Sequence, residues 1–82
     1  SNRASGNGFS DILIETDDPE VGIVIEVKYT DDNGSPESDC KNALKQIETK
    51  NYAQVLEQDG IRKILKYGIA FQMKKCCVKT QG

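Results

Sequence analysis

The apolar positions of the chain fall into strand-like runs on either side of one amphipathic helix. Asp11-Ile12-Leu13-Ile14-Glu15 is a β-prone run, ended by the turn formers Asp17-Asp18-Pro19-Glu20. Val21 to Thr30 follows as a longer strand rich in Ile and Val, so the two are expected to pair as an antiparallel hairpin. Beyond the turn Asp31-Asp32-Asn33-Gly34, Ser35 has the character of a helix N-cap, with Pro36 at the first helical position and Glu37 in the first turn. Cys40, Ala43, Leu44 and Ile47 recur at helical spacing and define a buried stripe. That stripe loses phase near Asn51, because Tyr52 lies far round the helix from Ile47 while Val55 and Leu56 begin a new patch. A break there is expected, with a short second helical segment ending at Asp59-Gly60. Ile64 to Phe71 reads as a buried strand in which Gly68 marks the close approach of another backbone. Lys74 to Thr80 reads as a last, exposed strand reached through a turn near Gln72 and Met73. The predicted order is β-β-α-β-β, an α+β domain with a helix packed on one face of a mixed sheet.

One polar pair interrupts this pattern. Glu26 and Lys28 sit two apart on the longer strand and so share a face, while Ile23, Ile25, Val27 and Tyr29 share the other. Charges converging on a mostly apolar sheet are costly to desolvate unless they bind something, and a divalent metal with a phosphate would satisfy Glu26, Lys28 and the nearby Asp11 together. Adjacent antiparallel strands can bring Asp11 and Glu26 to one Mg²⁺, with water and a backbone carbonyl in other positions. A lone Glu-x-Lys has a plainer explanation as well, since exposed strands often alternate charges.

At 82 residues the chain is at most one domain with a small core. The polar Ser1 to Gly8 carries no element signal, so residues 1–7 are expected to be a flexible lead-in to a domain that is truncated at this end. No apolar run approaches the roughly 20 residues that span a bilayer. The net charge of −2 argues against a general nucleic-acid binder, but it hides an asymmetry: residues 1–60 carry −8 and residues 61–82 carry +6. Arg62, Lys63, Lys66, Lys74, Lys75 and Lys79 thus form a basic strip, either the solvated face of strands or a hold on a polyanion. The three cysteines, Cys40, Cys76 and Cys77, are an odd number, and neighbours on a strand face opposite ways, so a reduced, cytoplasmic protein is expected. The chain has no histidine, which removes His-activated nucleophiles and imidazole zinc ligands and leaves carboxylate, lysine and metal chemistry.

The pattern Gly8-Phe9-Ser10-Asp11, a loop, then Ile23-Val24-Ile25-Glu26-Val27-Lys28 resembles the PD-(D/E)xK nuclease superfamily. Ala43-Leu44-Lys45-Gln46-Ile47 leading to Lys50-Asn51-Tyr52-Ala53, followed by Lys66-Tyr67-Gly68-Ile69-Ala70-Phe71 with Lys74 and Lys75, is similar to the nuclease-like domain found C-terminal to bacterial AAA-ATPase-like domains. The resemblance runs from about Gly8 to Thr80. It implies a restriction-endonuclease-like core lacking its first helix, a Mg²⁺ or Mn²⁺ cofactor, DNA as substrate and an ATPase-like domain in the same parent chain. It further implies Asp11, Glu26 and the Val27 carbonyl as metal ligands, Lys28 as the catalytic lysine, and Gln46 as the helix glutamine beside the site. Lys50, Lys66, Lys74 and Lys75 are candidate phosphate contacts. Gln46 reads equally as an exposed amide, and Tyr52 as a core or hinge residue or a catalytic one. Two departures stand out: the leading helix of the superfamily is missing, and Phe9 occupies a position where arginine is common. Apolar sheet left bare by the missing helix would favour homo-oligomers. A module that keeps the fold to bind nucleic acid or protein without cutting is the alternative to an enzyme.

Overall fold

The computed structural model describes residues 2–4, 9–16 and 21–81. Strands β1 (Asn2–Ala4), β2 (Phe9–Glu15) and β3 (Val21–Tyr29) come first, then helices α1 (Pro36–Lys50) and α2 (Tyr52–Gln58), then β4 (Lys63–Gln72) and β5 (Lys75–Gln81). The five strands form one sheet in the order β1-β2-β3-β4-β5. The β3–β4 pair is parallel and the others antiparallel. Parallel neighbours need a crossover, and the two helices supply it. The expected mixed α+β sheet is therefore present. Residues 2–4 pair with β2 where a flexible lead-in was expected. The expected turn at Asp17 to Glu20 lies outside the described residues, as do Ser1 and residues 5–8.

Local chemistry explains the helix ends. The Ser35 hydroxyl accepts a hydrogen bond from the Ser38 amide at 3.2 Å, Pro36 opens α1, and Glu37 and Asp39 oppose the positive end of its dipole. Asn51, at φ 61°, ends the helix in the left-handed conformation that asparagine tolerates. Chain direction changes there, and α2 starts afresh at Tyr52. The second stop follows at Asp59-Gly60, where Gly60 has φ 89° and the Ile61 amide reaches back to the Leu56 carbonyl at 3.0 Å.

Both helices lie on the face of the sheet that carries Gly22, Val24, Glu26 and Lys28 of β3, opposite Asp11 and Leu13 of β2 and beside Ile64, Lys66, Gly68 and Ala70 of β4. Val24, Ile47, Leu56 and Ile61 form the buried core, with Leu13, Leu44, Tyr52 and Ile64 packed on it. Helix α1 comes closest at Gly68, where a Cβ would stand 2.5 Å from the Cys40 carbonyl oxygen. The Cys40 thiol donates to the Gly68 carbonyl at 2.8 Å at that contact. Burial, then the neighbouring Cys77 thiol, pushes the Cys40 thiol up to about 11, so it stays protonated. All three cysteines are free, with Cys76 exposed.

The other face carries Ile23, Ile25, Val27, Tyr67 and Ile69 and has no helix on it among the described residues. Ile14 and Val78 remain 39% and 53% exposed there. The apolar side of β3 that dominates its sequence is thus the open one, and the side that packs under the helices holds the charges. No helix of the described residues is long and apolar enough to cross a membrane.

Candidate active site

Register alone brings the first two site residues together. Asp11 and Glu26 are direct cross-strand partners on the helix-covered face, where paired side chains stand about 5 Å apart at Cβ. Gly68 pairs with Glu26 on its other flank, and α1 crosses over that glycine, so Glu26 is completely buried and Asp11 nearly so. An ionised carboxylate in such a place must be paired, because the cost of leaving one without a counter-charge is several kcal/mol.

The pairing cation comes from the end of α1. The Lys50 ammonium donates to both oxygens of Asp11, at 2.8 and 2.9 Å, and to Glu26 Oε2 at 3.0 Å. The Tyr52 hydroxyl also donates to Asp11 Oδ2. Residues two apart on a continuous helix point in different directions. The left-handed Asn51 between them is what lets Lys50 and Tyr52 converge on one carboxylate. Glu26 Oε1, buried, has no hydrogen-bond partner among the described residues.

The electrostatics follow from this asymmetry. Burial would raise the Asp11 carboxyl, but its polar neighbours Glu26, Lys50 and Tyr52 outweigh it and hold Asp11 below its usual range. Glu26 is pushed up to about 8, by burial first and then by the Asp11 carboxylate beside it, against the pull of Lys50. Burial opposes the Lys50 charge, yet the two carboxylates raise its pKa above the ordinary lysine value. Burial and the Asp11 carboxylate raise the Tyr52 hydroxyl to about 12, so it remains a donor.

The Glu26 shift has a consequence for stability. Between its usual pKa of 4.5 and about 8 the folded state holds a proton that the unfolded chain releases, so stability falls as pH rises across that window, by at most about 1.4 kcal/mol per pH unit. Asp11 acts the other way, and only in acid: its contribution is present above its usual range and lost as pH falls through it. Glu26→Gln is expected to flatten the decline measured by urea unfolding at pH 5, 6.5 and 8. An unchanged pH slope in that variant would contradict the assignment.

The remaining sequence candidates divide by position. Lys28 lies on the same face as Glu26 and pairs across the strands with Phe9, one step from Asp11 on that face, and its side chain is half-buried. Gln46 is half-buried one turn before Lys50 on α1, and among the described residues it makes no hydrogen bond to the carboxylates. Lys66 forms an ion pair with Glu48, and Lys79 lies 3.7 Å from Glu37, so helix acids neutralise part of the basic strip. Lys74 and Lys75 stand at the β4–β5 turn and line an open groove of about 410 Å³ with Asp32, Gln72 and Met73. That turn is about 16 Å along the strand from Gly68 at 3.3 Å per residue, away from the carboxylates. The hydroxyl of Tyr52 and the ammonium of Lys50 on Asp11 are contacts that the strand pattern could not show: Lys50 was expected on a phosphate and Tyr52 in the core, at a hinge or in catalysis, and neither was expected on Asp11.

Two carboxylates, one of them with an orphaned buried oxygen, are a donor set that suits a hard divalent cation with water or a carbonyl completing its shell. Among the described residues no group of three or more His, Cys, Asp or Glu side chains converges. A mixed sheet with its acidic pair under a crossover helix is consistent with a nuclease-like core. The chain belongs to the PD-(D/E)XK nuclease superfamily, whose family profile matches residues 1–81. Members of that superfamily generally depend on divalent metal. No curated protein and no solved structure matches the chain.

Proposed function

We propose that this domain hydrolyses DNA phosphodiester bonds with a divalent cation, Mg²⁺ or Mn²⁺, held by Asp11, Glu26 and the backbone carbonyl of Val27. The observation that carries this reading is the convergence of Asp11 and Glu26 within 3.0 Å of a single nitrogen, with Glu26 Oε1 left for another partner. Bound there, the cation would stabilise charge on the phosphodiester and lower the pKa of an attacking water. Tyr52 orients Asp11 through its hydroxyl. Lys28, on the same face, neutralises charge that develops on the scissile group, and Gln46 stands beside the site on α1. Lys50, Lys66, Lys74 and Lys75 hold backbone phosphates. An ATPase-like domain of the same parent chain, a cytoplasmic setting and self-association through the uncovered apolar face complete the reading.

The test is cleavage of plasmid DNA with Mg²⁺ or Mn²⁺. Lys28→Ala is expected to lower the rate by about 10² to 10³, the usual loss when one preorganised electrostatic partner is removed. Equal activity in both proteins would remove Lys28 from the chemistry, and no activity in the full-length parent would remove the reading. One observation favours the alternative, a non-cutting module that binds nucleic acid or protein: Lys50 already supplies a counter-charge to the carboxylate pair. A chain with no response to either cation would be that module.

A further inference from the structure

We propose that Lys50 is a resident counter-ion, which occupies the Asp11–Glu26 pair until a divalent cation takes its place and then swings out toward solvent. The inference rests on the metal-binding reading above and adds an exchange step to it. The ammonium uses three of the four carboxylate oxygens that a cation would need, at 2.8 to 3.0 Å. A magnesium ion at about 2.1 Å from the same oxygens would overlap that nitrogen and repel its charge. The two occupants therefore exclude one another.

The three side chains differ in their freedom to move. Glu26 is fully buried on a central strand and cannot turn to water, so whenever it is ionised it needs a positive partner within the site. Asp11 is tied to Tyr52 independently of Lys50. Lys50 is the last residue of α1, its side chain is 24% exposed, and Asn51 beyond it leaves the helix. Its flexible four-carbon stem lets the charge leave without moving the helix. Exchange keeps the buried carboxylates compensated before and after loading. It also delivers a free ammonium to the rim of the site, where an anionic substrate would meet it.

Two measurements on the intact chain test this. Calorimetric titration with Mn²⁺ is expected to show about tenfold tighter binding to Lys50→Met than to wild type, since the cation no longer displaces charged hydrogen bonds. Acetylation of wild type followed by mass spectrometry needs no variant: Lys50 is expected to react several-fold faster at saturating Mn²⁺ than without it, with the exposed Lys41 of α1 as an unchanged reference. If wild type binds Mn²⁺ but Lys50 reacts no faster, the exchange is wrong and the metal site stands. If neither wild type nor Lys50→Met binds Mn²⁺, the metal reading fails and the exchange with it.

Discussion

Gly68→Ala is expected to destabilise the domain by about 3 kcal/mol, at the upper end of what overpacking costs. The added Cβ would lie 2.5 Å from the Cys40 carbonyl oxygen and 3.1 Å from both the Leu44 amide nitrogen and the Leu44 Cγ. Two of those atoms are backbone, so no side-chain rotation relieves the clash and α1 must lift from the sheet. Lifting it stretches the Cys40 thiol bond to Gly68 and draws Lys50 away from carboxylates that cannot follow. Gly60→Ala is the control. Gly60 has φ 89° but open space around it, so only backbone strain of about 1 kcal/mol is expected. Urea unfolding of both variants checks the contrast, and a loss below about 1 kcal/mol for Gly68→Ala would mean that α1 does not press on the sheet there.

Asp11→Asn is expected to lower metal-dependent cleavage by at least about a hundredfold. Loss of an outer hydrogen-bond partner of a metal ligand already costs about 10- to 100-fold, and Asp11 is read as a ligand itself. The substitution preserves size and an oxygen acceptor for Tyr52, so the loss isolates charge. Removing the Asp11 charge also removes part of what raises Glu26. The decline of stability with pH should therefore weaken in this variant as well, a readout independent of substrate.

Much of this arrangement was legible in the chain, for reasons that can be named. Alternation on β3 and the cross-strand partner on β2 put Asp11 and Glu26 on one face, because strand side chains have a period of two. Ser35 and Pro36 marked the helix start, and Gly68 marked the close approach of α1. What hydrophobicity could not tell was which face the helices cover. Ile23, Ile25 and Val27 make the open face the more apolar one, yet the crossover places both helices over Gly22, Val24 and Glu26. That choice depends on β3–β4 pairing and on two glycines that admit the helices, and both are tertiary facts. The same limit hid the pairing of Lys66 with Glu48 and of Lys50 with the carboxylates, since each joins residues at least 18 apart. Charge counting saw a basic strip, while the fold shows part of it already neutralised.

The central claim is that Asp11 and Glu26 form one cation centre, and Mn²⁺ titration followed by calorimetry addresses it most directly. Wild type is expected to bind one Mn²⁺ per chain, and Asp11→Asn to lose that heat while keeping its fold by circular dichroism. No heat with wild type, or equal binding by a folded Asp11→Asn, would contradict it.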